Sequence, residues 1–282
     1  MSLSPLSTAQ EARKAVADQL AEIRKDAGIS KRELAFRSGW HESKSSRIES
    51  VKTVPSDADI RTWCTVCGVP QRSADLIAAS RRAESLYIQW RRRHWAGMRR
   101  AQDELLPLYE RTKAFRVYCS NVVPGFLQTA PYAEALMARI TEFQGTPNDV
   151  IDAVAARMER ARILRKPDHT FAVILEETVL KYRIGDEAAM AGQLGHLLEA
   201  MSLPTISLGV IPSAVHRVMW PLEAFYMFDA SLVTVETLTA EINVTAPGEI
   251  DDYAHAFTEL AKLAVYGQSA RSLITSAIAA LD

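Results

Sequence analysis

Residues 31–50 read KRELAFRSGWHESKSSRIES, and few chain geometries satisfy that spacing. Two short helices that cross closely need a small residue at the crossing, and Ala35 stands there. The turn between them needs a residue that tolerates positive φ, which Gly39 supplies. Leu34, Trp40 and Ile48 provide apolar anchors beneath both helices. The flanks agree. Ser30 precedes the first helix as N-cap, with Glu33 three residues on to complete a capping box. Pro55-Ser56 opens the next helix, where Ile60, Trp63, Cys64 and Cys67 repeat at i, i+3, i+4 and i+7 before Gly68 ends it. Upstream, Leu20, Ile23 and Ala27 line one face of a helix that stops at Gly28, and Pro70 begins a fifth. The reading is a mainly α N-terminal domain of five helices built around a helix-turn-helix, its second helix running from about residue 41 to 50.

From Arg13 to Gly68 the chain resembles the Cro/cI-type, or xenobiotic-response-element (XRE), family of regulators, on RELAFRSGWHESKSSRIES and the downstream VPSDADIRTWCTVCGVP. In such regulators the second helix of the pair lies in the major groove. The resemblance therefore implies double-stranded DNA as partner, with base contacts from Glu42, Ser43, Lys44 and Arg47 and phosphate contacts from Ser30 and Lys31. Arg47 suits bidentate bonding to guanine, and Glu42 suits acceptance from a cytosine amino group. Arg24 and Glu49 occupy positions that commonly pair to fasten the first helix to the third. Two residues depart from the pattern. Ser45 stands where the family has Val or Ile, so its hydroxyl is expected to bond back to its own helix or stay poorly satisfied. Val51 replaces the Gly that commonly ends the recognition helix, at about 1 kcal/mol or more if positive φ is adopted.

Charge is distributed in the same sense. The net charge is -1, but residues 1–112 hold 20 Lys+Arg against 14 Asp+Glu and residues 113–282 hold 13 against 20. A basic front and an acidic back fit a chain whose front meets a polyanion. At 282 residues, 48% hydrophobic and 24% charged, it has the composition of a globular protein of one large or two ordinary domains. Cys64, Cys67 and Cys119 cannot form a disulfide framework, and Met1–Ala12 lacks the pattern of a signal peptide. With no apolar run of membrane-spanning length, a cytoplasmic location is expected. Cys64-x-x-Cys67 belongs to an apolar helical stripe and has no second ligand pair, so no metal is expected there. Arg91-Arg92-Arg93 and Arg99-Arg100 read as a solvated helical face. Glu176-Glu177 follows a strand, yet no phosphate loop or nucleophile elbow accompanies it. His196 and His216 are isolated and read as structural. Neither an enzyme nor a cofactor is expected.

A basic helical stretch from about Ala83 to Gln102 is expected to continue the helical front, making residues 81–112 a connector between domains at 1–80 and 113–282. Beyond Lys113 the pattern becomes α+β with a small mixed sheet. Thr129 and Pro131 open a helix. Thr170–Leu175 and Ile206–Ile211 read as parallel strands joined through a helix at about residues 188–201. Phe225–Phe228 and Leu232–Val235 read as an antiparallel pair, and helices close the chain at about 249–266 and 270–280. NVVPGFLQTAPYAEALM, RMERARIL, ILEETVL, GQLGHLLEAM and GVIP are similar to a domain of unknown function found behind such helix-turn-helices in antitoxin-like regulators of high-GC bacteria. That resemblance implies a homodimer and a small partner protein or a small-molecule effector. The rival reading is a protein-interaction antitoxin whose helix-turn-helix is weak or vestigial.

Overall fold

The computed structural model describes residues 5–85 and 87–281, which form two compact units dividing between Ile88 and Gln89. The division falls within the expected connector, so residues 89–112 belong to the second unit. No helix among the described residues is long and apolar enough to cross a membrane.

The first unit contains α1 (Pro5–Asp26), α2 (Lys31–Arg37), α3 (Ser43–Glu49), α4 (Asp57–Val66) and α5 (Ser73–Ser85). Leu20, Leu34, Ile48, Ile60, Trp63 and Cys64 are its fully buried centre, each large aliphatic side chain contributing roughly 1.5–3 kcal/mol on burial. The indole N–H of Trp63 donates to the Leu20 carbonyl at 2.9 Å, so the one polar atom of that ring is satisfied inside the core. At α4 the capping box is complete, with Ser56 Oγ accepting from Asp59 N and Asp59 accepting from Ser56 N. At α2 only half of the expected box forms: Ser30 Oγ accepts from Glu33 N, while the Glu33 carboxylate turns to Arg37. Ala27 does not line the first helix. It is exposed beyond the last turn, and Ile29 takes the buried place.

After the short strand β1 (Tyr87–Gln89), which straddles the division, come α6 (Trp90–Trp95), α7 (Met98–Asp103) and α8 (Leu106–Arg111). The continuous helix expected over 83–102 is therefore broken twice, by β1 and by Gly97 at φ 98°. Its basic face is also engaged: Arg99 and Arg100 meet Asp103 and Glu104, and Arg93 is mostly covered and pairs with Glu241. The Arg91 and Arg92 side chains lie outside the described residues.

The second unit is built on β2 (Ala114–Cys119), β3 (Thr170–Glu176), β4 (Ile206–Ile211), β5 (Phe225–Phe228), β6 (Leu232–Glu236) and β7 (Ala240–Val244), in the order β7-β6-β5-β2-β3-β4. β2, β3 and β4 are parallel, whereas β2-β5, β5-β6 and β6-β7 are antiparallel. The sheet is mixed as expected, and larger than the four strands the sequence suggests, because β2 and β7 join it. Helices α9 (Ala130–Gln144), α10 (Val150–Ala161), α11 (Glu187–Ala200), α12 (Pro247–Leu263) and α13 (Gly267–Ala279) cover it. Phe115 stacks on Phe171 at 4.6 Å within the larger core, and Tyr253 and Phe257 of α12 meet Phe225. In VPGFLQT, Phe126 and Leu127 are buried. Gln128 Nε2 donates to the Val123 carbonyl at 2.7 Å, and Gln193 both accepts from Thr129 N and donates to the Leu127 carbonyl. Thr129 then caps α9 without a side-chain bond, with Pro131 in the first turn.

Candidate nucleic-acid interface

Ala35 is buried, and Gly39 turns the chain at φ 66° between α2 and α3. The third helix begins at Ser43, two residues later than expected, because His41 and Glu42 remain in the turn. A buried ionic clamp fixes it. Arg24 donates from Nε to Glu49 Oε1 at 2.6 Å, and its Nη1 donates to the Ile29 carbonyl at 2.7 Å. Lys31 Nζ lies 2.9 Å from Glu49 Oε2. Burial pushes the Glu49 carboxyl up, but the hydrogen bonds and charges of Arg24 and Lys31 outweigh it and hold the group below its ordinary range. One carboxylate thus ties α3 to both α1 and α2.

Ser45, fully buried, does not bond back to its own helix and is not left unsatisfied. Its Oγ donates to the Lys31 carbonyl at 3.0 Å, across the helix pair. A hydroxyl therefore replaces an apolar anchor with a directional bond between the same two helices. Val51 does take positive φ, at 59°, directly after α3, so the conformation usually given to Gly is imposed on a β-branched residue.

Of the residues read as base contacts, Glu42 is exposed at the N-cap of α3 and forms no side-chain cap. Ser43 is exposed, its Oγ 2.9 Å from His41 Nδ1. Lys44 sits 2.6 Å from Asp59 and 4.6 Å above the Trp40 ring, which holds it toward the scaffold. Burial pushes the Asp59 carboxyl up, but bonding to Lys44 and to Ser56 lowers it on balance. Arg47 is exposed, and its guanidinium has no partner among the described residues. Of the phosphate candidates, Ser30 Oγ is occupied by the cap, and Lys31 is half-exposed with one bond to Glu49. Sequence reasoning passed over Ser46 and Ser50, which are exposed and complete a face with Ser43 and Arg47 at i, i+3, i+4 and i+7. It also passed over Arg32, exposed beside Lys31 without a partner among the described residues.

Most of the remaining sequence candidates carry scaffold duties. Cys64 and Cys67 are free and buried in the first core, where burial raises both thiols, and no group of three or more metal-ligating side chains occurs among the described residues. Glu176 is buried, accepting from Tyr118 Oη at 2.7 Å and pairing with Arg217. Glu177 meets Lys181 at 2.6 Å and accepts from Ser213 N at 2.6 Å, so its carboxyl is held down to about 2. His196 lies near Glu199, and His216 is exposed, outside the structural role expected for it.

Residues 15–76 match a family model described as a helix-turn-helix domain. Residues 102–276, more than half of the chain, match one described as a domain of unknown function (DUF5753). No curated protein matches. A solved structure of TrmBL2, an archaeal chromatin protein described as showing a novel mode of DNA binding, is similar at 9% identity. That match covers 85% of this chain and 88% of the other at a TM-score of 0.32, too loose a likeness to carry an argument.

Proposed function

Since the chain belongs to the family described as a domain of unknown function (DUF5753), a description that assigns no activity, we propose a function from its helix-turn-helix: a DNA-binding transcription regulator of the Cro/cI type that acts by binding and not by catalysis. The observation that carries the reading is the exposed face of α3, where Arg47, its guanidinium without a partner among the described residues, lies among Ser43, Ser46 and Ser50 on a helix clamped by Glu49. Arg47 would read a guanine, the hydroxyls and Glu42 would meet neighbouring base edges, and Lys31 with Ser30 and Arg32 would lie along phosphate. Lys44, held by Asp59, would contribute charge beside the groove. The protein would bind as a dimer on half-sites about one helical turn apart, with the second unit receiving an effector or a small antitoxin-type partner. The satisfied hydroxyl of Ser45 supports a rigid reader over a vestigial one.

The test is fluorescence anisotropy on duplex DNA from upstream of its own gene, against a shuffled duplex, across a salt series. Arg47→Ala is expected to cost about 1–3 kcal/mol on the cognate duplex and to relax one position. Lys31→Ala is expected to weaken both duplexes alike and lower the salt slope by about 1. Equal, steeply salt-dependent binding to both duplexes by the parent chain would overturn the reading and leave the protein-interaction antitoxin as its successor.

A further inference from the structure

The second unit encloses a cavity of about 570 Å³, within the range that takes small organic ligands. Trp90, Tyr109, Tyr226 and Phe228 give it an aromatic lining. Phe143 and Leu238 also line it yet are 71% and 74% exposed, which puts an apolar rim at its mouth.

Its charges are out of balance. Arg93 is matched by Glu241 at 3.1 Å. Arg157 and Arg160 of α10, which also line the cavity, have no carboxylate within ion-pair distance among the described residues. They rest on neutral amides instead. Arg157 Nε and Arg160 Nη2 both donate to one atom, Gln102 Oε1, at 3.2 and 2.9 Å. Arg157 Nη1 donates to Gln128 Oε1 at 2.5 Å, and Arg160 Nη1 to the Gln102 carbonyl at 3.0 Å. Arg160 is 4% exposed, lies over the Tyr109 ring at 4.9 Å, and its buried Nε has no hydrogen-bond partner. Burial, then the like charge of Arg160, lowers Arg157 to about 10, which leaves it a cation at neutral pH. Two guanidiniums drawn onto a single amide oxygen in a concave, aromatic space are costly unless an anion joins them.

The same lining limits that anion. Glu236 of β6 is exposed, also lines the cavity, and has no bonded partner among the described residues, although its charge interacts with those of Arg157 and Arg160. In its ionised form it disfavours a second negative charge on a ligand.

We propose that this cavity binds a small aromatic monocarboxylate, its carboxylate on Arg157 and Arg160 and its ring among the aromatic side chains. The planar fork of a guanidinium matches a carboxylate in two parallel bonds. The site is independent of the DNA-binding reading, and its test does not use DNA.

Isothermal titration of the full chain at pH 8 with 2-naphthoate, neutral 2-naphthalenemethanol and dianionic 2-naphthyl phosphate distinguishes the cases. Naphthoate is expected to bind tightest, by about tenfold or more over each of the others. Arg157→Gln should erase that preference while leaving the thermal midpoint unchanged or raised, since it removes a covered charge that no described carboxylate meets within ion-pair distance. Phe143→Ala, at the exposed mouth, should weaken naphthoate several-fold with the midpoint unchanged, and serves if Arg157→Gln does not fold. Equal binding of naphthoate and the alcohol, tighter binding of the phosphate, or no binding at millimolar naphthoate would overturn the proposal. So would an Arg157→Gln chain that loses stability but keeps the preference, for then Arg157 is structural only.

Discussion

Glu49 joins three elements through one buried carboxylate, and its chemistry makes the first unit sensitive to acid. Glu49→Ala leaves Arg24 covered without a counter-charge, and is expected to cost about 3 kcal/mol or more in urea unfolding at pH 7. The folded carboxyl lies below its ordinary value of 4.5, so its contribution is complete above that value and is lost as pH falls through the folded one. The parent chain should therefore lose more stability between pH 5 and acid than Glu49→Ala does, and parallel pH profiles would show that the clamp contributes nothing to acid sensitivity. The pairing of Arg24 with Glu49 was legible in sequence because both stand at positions that pair in the resembled family. The partner of Ser45 was not, since Lys31 offers a backbone carbonyl and no side chain advertises it. Val51 was legible as a strained position, and its φ of 59° bears that out.

Elements were legible where their determinants are local. Ser56 with Asp59 and the stripe from Ile60 to Cys67 define α4 from within ten or so residues, and the apolar run at Ile206–Ile211 defines β4 to its ends. The failures lie where a distant residue decides. Residues 83–102 have the composition of one helix, but Asp149 accepts from Met98 N and Arg99 N, each at 2.9 Å, and starts α7 afresh after Gly97. That cap comes from a loop some fifty positions away, which no local pattern encodes. β2 was missed because Arg116 interrupts an otherwise buried run, its guanidinium reaching the Asp229 carbonyl at 3.2 Å. β7 was missed because Glu241 and Asn243 give it a polar texture, although Glu241 is buried against Arg93. Gly97→Ala tests the break directly. A methyl there would come 2.7 Å from Asp149 Oδ2, at a φ that L residues avoid. A loss of roughly 2–3 kcal/mol is expected in thermal unfolding, and a neutral substitution would mean that α7 does not depend on this cap.

At the scale of the molecule, the two units rest on separate clusters, one centred on Ile60 and Trp63 and the other on Phe115, Val173 and Leu175. A domain with its own core can fold as its own cooperative unit, so a core lesion should be felt first where it is made. Ile60→Ala removes a fully buried side chain from the first cluster and is expected to cost about 2–5 kcal/mol there. Hydrogen exchange followed by mass spectrometry should then show faster exchange at amides of α1, α3 and α4, the helices that hold the face of Arg47. Amides of β2, β3 and β4 should keep their protection, and titration with 2-naphthoate should be unchanged. The same variant would lose DNA binding, since α3 packs through Ile48 onto the cluster that Ile60 fills. If protection in β2–β4 falls by as much as in α3, the chain unfolds as one body, and what is bound in the second unit would change the stability of α3 directly.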